Sequence, residues 1–413
     1  MSIGISSSEL KTTQVVNELK TTQVVNEFLS GLTIALLLIP ESIAFAYILG
    51  LSPETGIHNT MVISLITSIF GGIPTMISGS TAAVATSIVG VKTLLGNDYI
   101  LPTVIFGGII QVIASLTGLY KYVSRIPKYI MSGFLVALAG LIAINQLEDF
   151  KDKNHKFFTG IKMANTILFS IISLVIAVYG TIKKDVSIGS SGDKNIIHIP
   201  GGLISILIIT SFIFLFSKYY DIVRVKDVGE IKPSLPSIKI PKVDLSFNKL
   251  IKIIPFSLAM AFAGLMESLI MLKDTEDTLH IKGNAFKESI TQGIANIVSG
   301  FTGGFGGCVL VGQSKLNLDN GSVTQFSSII TSVLFIILTL FLTSSINQIP
   351  MAAIVGIMIL IAYKTGDWNS IFKPKAFDKR WLVTIITTSV GFLSGNLSLG
   401  IIVGLVFSKL LIG

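Results

Sequence analysis

The stretch Thr302-Gly-Gly-Phe-Gly-Gly-Cys-Val-Leu-Val-Gly-Gln-Ser-Lys-Leu-Asn317 holds five glycines, Gly303, Gly304, Gly306, Gly307 and Gly312, in a chain that otherwise reads as one apolar span after another. A glycine-rich break followed by a short apolar segment suits a half-helix. Unwound backbone then leads into a helix N-terminus at mid-membrane depth. Such a terminus presents unpaired N–H groups and the positive end of the helix dipole, and both attract an anion. Broken helices are tolerated in a bilayer only where they line a cavity or are buried in protein. A plain Gly-rich turn between two ordinary spans would use the same residues, so the rest of the chain has to discriminate.

Of the 413 residues, 51% are hydrophobic and 13% charged. A soluble domain carries about 25% charged residues, so this is an integral membrane protein. Apolar runs approaching 20 residues, without period-two alternation, make it helical. The net charge of +8 reflects loop lysines; no basic cluster interleaved with aromatics points to nucleic acid. The single cysteine, Cys308, excludes intrachain disulfides and Cys-rich metal sites. His58, His155, His198 and His280 are scattered, so no metal and no cofactor is expected. The first 27 residues are polar, and no cleavable signal sequence is expected.

Residues 1–27 form a polar arm with a nine-residue tandem repeat, Glu9-Leu-Lys-Thr-Thr-Gln-Val-Val-Asn17 followed at once by Glu18-Leu-Lys-Thr-Thr-Gln-Val-Val-Asn26. Nine residues are too few for a solenoid unit. Fourteen apolar segments follow, near 28–50, 57–72, 79–94, 101–120, 129–147, 158–181, 200–217, 251–272, 287–301, 307–318, 323–346, 350–363, 381–395 and 397–412. They divide into 28–217 and 251–413, seven segments each, joined by a linker loop at 218–250 with Pro233, Pro236 and Pro241. Lys121, Arg125 and Lys128 follow segment four, and Lys364, Lys373, Lys375, Lys379 and Arg380 follow segment twelve. Positive-inside bias then puts both termini in the cytoplasm. The Lys-bearing linker would lie outside, and longer loops obey the rule less strictly.

Only two acids lie in the middle of apolar spans. Glu41 stands halfway along segment one, directly after Pro40, which weakens the helix there. Glu267 stands deep in segment eight. An intramembrane carboxylate costs on the order of 2.5–3.5 kcal/mol on insertion scales, so each needs a cavity, a partner or water. Kept from water, a carboxyl can bind and release a proton near neutral pH. A protonated glutamate bonded to a neighbouring helix is the bland alternative. The short segments three and ten both start at glycines. Segment three opens Ile77-Ser-Gly-Ser-Thr-Ala-Ala83, with Gly79 for the turn, Ser80 and Thr81 as N-cap types, and Ala82 leaving space. Glu41 to Thr81 and Glu267 to Gly307 are each 40 residues apart. Because seven is odd, the second repeat must run inverted. Inverted repeats with paired, Gly-interrupted segments are the pattern of secondary transporters with a midplane site.

The motifs identify the chain as resembling the SulP (sulfate permease) family of anion transporters. They are Gly31-Leu-Thr-Ile-Ala-Leu-Leu-Leu-Ile-Pro-Glu-Ser-Ile-Ala-Phe-Ala-Tyr47, then Pro53-Glu-Thr-Gly56, Phe70-Gly-Gly-Ile-Pro-Thr-Met-Ile-Ser-Gly-Ser-Thr-Ala-Ala83, and Asn284, Glu288 and Gln292-Gly-Ile-Ala-Asn-Ile-Val-Ser-Gly300. The resemblance runs over nearly the whole length from Phe28. It implies an all-α membrane fold of fourteen segments in two inverted repeats, with two half-helices, a core domain of segments one to four and eight to eleven, and a gate domain of the rest. It also implies a homodimer and a small-anion substrate held between segments three and ten. Glu267 matches the family's acidic position in segment eight, where a glutamate favours protons. Sodium-coupled relatives tend to have aspartate with nearby hydroxyls, and Met271 is not a hydroxyl. Where many relatives carry an Arg-Ser pair, this chain has Gln313-Ser314. The fixed positive charge is missing, and a coupled cation becomes more useful. Relatives commonly carry a C-terminal STAS domain, and none is expected within this sequence.

The expectation is a plasma-membrane secondary transporter of a small oxyanion, sulfate first, by proton symport. Its anion site is expected at Glu41, Phe45, Ser80, Thr81, Ala82, Cys308, Val309, Gly312, Gln313 and Ser314, with Glu267 as the proton-coupling group. Bicarbonate or dicarboxylate transport, or exchange, is the alternative. A non-transporting scaffold or voltage-responsive relative is the alternative of another class. An enzyme is not expected.

Overall fold

The computed structural model describes residues 7–123, 126–147, 150–151, 156–180, 182–187, 194–228, 230–241, 243–244, 246–372 and 378–412. Arg125, Lys373 and Lys375, used above for orientation, and His155 lie outside the described residues. The first half of the chain holds α1 (Ser7–Ile48), α2 (Pro53–Phe70), β1 (Ser78–Gly79), α3 (Ala82–Leu95), α4 (Ile100–Leu116), α5 (Tyr120–Val123), α6 (Lys128–Asn145) and α7 (Gly160–Tyr179). The hairpin β2 (Ile182–Ser187) and β3 (Lys194–Ile199) then leads to α8 (Gly201–Leu215). The linker holds α9 (Val225–Val228). The second half holds α10 (Phe247–Leu279), α11 (Ala285–Phe301), β4 (Cys308–Val309), α12 (Val311–Asp319), α13 (Phe326–Phe341) and α14 (Thr343–Ile346). It ends with α15 (Met351–Thr365), α16 (Trp368–Phe372), α17 (Lys379–Ser394) and α18 (Leu397–Leu411).

Each of the fourteen expected segments contains a helix. Three boundaries differ in an instructive way. The duplicated arm is not set off at residue 28, because α1 carries arm and first span as one helix; its Leu, Lys, Glu and Gln are good helix formers. Pro40 lies inside α1 without ending it. A membrane helix tolerates proline where neighbouring groups re-satisfy the backbone. Segment ten does not begin as a helix at Cys308. Cys308 and Val309 are a strand, and the helix starts at Val311.

The bilayer as solvent shows in α7. Its buried residues Thr166, Phe169, Ser170, Ser173 and Ala177 recur at helical spacing and are mostly small or polar, while Ile167, Leu168, Ile171 and Val175 face outward. Ser173 Oγ donates to Ala353 O of α15 at 2.7 Å, a contact that small residues on both helices permit. Two groups of helices result. In one, α1 packs on α13, α10 on α4, α11 on α4 and α2, and α13 on α2. In the other, α7 packs on α15 and α8, and α17 on α6 and α18. Counterparts seven segments apart exchange partners: α1 lies on α13 as α10 lies on α4, and α15 lies on α7 as α17 lies on α6.

Candidate functional site

The two broken spans meet between these groups. β1 and β4 pair antiparallel, with Ser78 opposite Val309 and Gly79 opposite Cys308, and Leu310 N–H donates to Ile77 O at 2.8 Å. The unwound backbone of each thus satisfies the other, as a buried backbone must. The approach is close: a Cβ on Gly307 would stand 1.9 Å from Gly79 O.

Past the backbone bond from Gly304 N–H to Ser299 O at 2.8 Å, the loop before β4 is held mainly by side-chain amides. Asn59 of α2 donates to Gly306 O at 2.7 Å and accepts from Gly306 N–H at 2.9 Å. Asn296 of α11 treats Gly307 the same way, at 3.1 and 2.8 Å, and Gln292 adds a donor to Gly307 O at 3.0 Å. Gly306 has φ +80°, a conformation that a side chain disfavours. The loop before β1 is held from the second half. Glu288 accepts from Gly72 N–H at 2.7 Å, and Asn317 donates at 2.7 Å to the carbonyl of Thr75, a β-branched residue at φ +68°.

Beyond the strands the chain turns into α3 and α12. Thr81 is the N-cap of α3, its Oγ1 accepting from Val84 N–H at 3.4 Å, while Leu310 caps α12 with no side-chain hydrogen bond. The first-turn N–H groups of both helices have no partner within their own helix. Both termini face one small cavity of about 20 Å³. Its walls include Glu41, Phe45, Thr81, Ala82, Glu267, Val309, Gly312 and Gln313, together with Leu138 and Ile142 from α6. Glu41 is 8% exposed and Glu267 2%. Gln313 Nε2 donates to Glu41 Oε2 at 2.6 Å, and Cys308 Sγ donates to Glu267 Oε2 at 2.7 Å. The two acids, from α1 and α10, are thus each tied to the segment Cys308–Gln313.

Of the expected site residues, the structure brings Glu41, Phe45, Thr81, Ala82, Glu267, Val309, Gly312 and Gln313 to this cavity. Ser80, Cys308 and Ser314 stand behind it. The Ser80 hydroxyl bonds with Thr60 Oγ1 at 2.7 Å and accepts from Asn59, and Ser314 Oγ accepts from Ile77 N–H at 2.9 Å. Sequence reasoning missed Leu138 and Ile142, which look like any apolar pair one turn apart. It also missed Asn59 as a loop anchor, although an amide inside an apolar span is costly enough to be a signal. Lys315 lies in a wider neighbouring vestibule of about 160 Å³, with Lys128, Lys273, Asp274, Asp277 and Ser132; Val311 borders both spaces.

Residues 25–388 match the model of the sulfate permease family. YbaR of Bacillus subtilis, which carries a provisional assignment as a sulfate transporter, is 33% identical over 381 residues, covering 92% of this chain and 75% of that protein. Among solved structures, the transmembrane domain of a cyanobacterium bicarbonate transporter, BicA, superposes with a TM-score of 0.67 at 21% identity, over 93% of this chain and 96% of that one. The murine anion transporter Slc26a9 in its inward-facing state gives 0.68 at 18% identity, over 94% of this chain and 68% of that one. The two likenesses assign the same all-α membrane fold to the present chain.

Proposed function

Since the chain belongs to the sulfate permease family, we propose that it is a secondary active transporter that moves sulfate together with a proton. The observation that carries this reading is the convergence of two helix N-termini and two carboxyls on one small cavity. The termini offer positive partial charge where no cationic side chain stands. Val311, Gly312 and Gln313 of α12 and Ala82 of α3 present N–H groups to the anion, with Phe45 as an apolar wall. Glu267 takes up the coupling proton, which offsets the charge of the anion.

In this reading the two seven-segment halves are inverted repeats. The group with α1–α4 and α10–α13 is a core that moves against a gate of α6–α8 and α15–α18. The size of the cavity supports such movement, since about 20 Å³ is close to the room of one water. A tetrahedral oxyanion needs Leu138 and Ile142 to withdraw. The vestibule lies beside the Lys128 end of α6, the side that positive-inside bias gives to the cytoplasm. We place the protein in the plasma membrane as a homodimer with cytoplasmic termini. Bicarbonate is the second reading, since BicA, a bicarbonate transporter, is 24% identical over 86% of this chain and 64% of its own length.

Uptake of labelled sulfate into proteoliposomes tests the proposal. An inward proton gradient should accelerate uptake, and Glu267→Gln should remove the acceleration. Uptake of bicarbonate but not sulfate would overturn the substrate. Acceleration that persists in Glu267→Gln would overturn the coupling role.

A further inference from the structure

At the cavity wall, three side chains are linked in sequence, Glu267 and Thr81 lining the cavity and Cys308 between them behind it. Cys308 on β4 is fully buried. Its Sγ donates to Glu267 Oε2 at 2.7 Å and lies 3.2 Å from Thr81 Oγ1, a contact in which either atom can be the donor. Thr81 in turn caps α3 and lines the cavity. A thiol has one hydrogen to give and a sulfur that accepts weakly, and a hydroxyl likewise has one hydrogen. The direction of each bond in such a line is therefore set by the group at its end.

We propose that Cys308 is a positioning residue that transmits the protonation state of Glu267 to the Thr81 hydroxyl, so that proton and anion bind cooperatively. The inference rests on the reading of Glu267 as the coupling carboxyl. As a carboxylate, Glu267 only accepts, so the S–H points to it and the Thr81 hydroxyl can point to Sγ. Once Glu267 is protonated from water, its O–H donates to Sγ. The S–H then swings to Thr81 Oγ1 and frees the Thr81 O–H to donate into the cavity. Only rotations about C–S and C–O bonds follow the uptake of the one proton, and no further bond to hydrogen breaks. The sign suits symport: the protonated state gains a donor for an anion. By linkage the anion then favours the proton in equal measure.

The titratable groups that face Glu267 are few among the described residues. Cys308 touches it, and Glu41 on α1 lines the same cavity. On the same helix, Lys273, Asp274 and Asp277 line the vestibule. Of the elements packed on α10, α12 turns Lys315 into the vestibule, α11 engages Glu288 at Gly72, and α3 bears Lys92 in its last turn. The charged residues Lys121 of α5 and Lys409 of α18 do not reach the cavity, and α4 has none.

The test is the KM for sulfate uptake against pH, in proteoliposomes, for the parent, Cys308→Ser, Cys308→Ala and Glu267→Gln. A hydrogen bond to a charged partner corresponds to about tenfold in affinity. In the parent, KM should fall by about that factor as the pH drops. Cys308→Ser keeps a donor and an acceptor and should keep the slope; Cys308→Ala should flatten it. An unchanged slope in Cys308→Ala overturns the link, as does a Cys308→Ser slope as flat as that of Cys308→Ala. A parent slope that survives in Glu267→Gln shows instead that the coupling reading has failed. Infrared spectroscopy gives a readout independent of uptake. The S–H stretch of the only cysteine should shift between acidic and alkaline buffer in the parent and stay fixed in Glu267→Gln. A band that does not move in the parent overturns the link.

Discussion

The N-termini of α3 and α12 face the same cavity, but different forces hold them in place. The start of α3 carries a cap of its own, Thr81 on Val84 three residues on, beside the bonds that Thr60 and Asn59 of α2 make to Ser80. The start of α12 has no such cap. It is fixed from outside, by Asn59 and Asn296 on the glycines before it, and by Ser314 on Ile77. One terminus adds a local cap to its tertiary contacts, and the other rests on tertiary contacts alone. The same contrast extends to the acids. Gln313 offers no charge but ties α12 to Glu41 of α1. Moving α12 thus disturbs several helices; moving α3 breaks its Ser80 bonds to α2 but leaves its cap in place.

The largest test of this contrast removes what both termini share. In Gly307→Ala, the added Cβ would meet Gly79 O at 1.9 Å, so β1 and β4 cannot stay paired. Backbone cannot yield as a side chain tip can, and the loss should exceed about 4 kcal/mol. The expected outcome is no monodisperse protein after detergent extraction. A folded, active Gly307→Ala protein would mean that the strand pair is not what sets the two termini.

A more selective change loosens only α12. Asn296→Ala leaves Gly307 N–H without its acceptor and takes the Asn296 donor from Gln111 Oε1, to which it now gives a bond at 2.8 Å. Each buried group left without a partner costs about 1–3 kcal/mol. Thermal unfolding in detergent should register a clear drop, and sulfate uptake should fall with it as the loop leading to α12 loses definition. A drop in stability with uptake unchanged would break the claim that this amide positions the terminus.

The same contrast explains what was legible in the sequence. Fourteen segments could be read because their apolar runs report the bilayer directly, residue by residue. The cap at Thr81 could be read because it acts over three positions. Segment ten reads from 307, four residues before α12 starts, because Cys308–Leu310 are apolar enough for a helix and only the distant Ser78 and Gly79 make Cys308 and Val309 a strand. Glu41 and Glu267 stood out as charges in apolar surroundings, and both line the cavity. Leu138 and Ile142 carried no signal at all, because an apolar wall is defined by what lies opposite it. The amides of Asn59 and Asn296 were visible as polar residues in spans, but their partners, two glycines, could not be deduced from spacing.

The smallest expected effect concerns α3. Thr81→Ala removes a side-chain cap at 3.4 Å, a long bond, so the cost should sit near the lower half of the usual range, about 0.5–1 kcal/mol. Thr81→Ser keeps an oxygen in the same place and should cost only a few tenths, roughly what cap replacements within the favoured set cost. Unfolding midpoints for the two variants, measured beside Asn296→Ala, give the ranking directly. The affinity should respond more than the stability does, because the Thr81 hydroxyl lies on the cavity wall while the helix behind it stays formed. A Thr81→Ala midpoint as low as that of Asn296→Ala would show that the cap of α3 carries as much of its placement as the amide carries for α12, and the distinction between a terminus with a local cap and one held by tertiary contacts alone would fall.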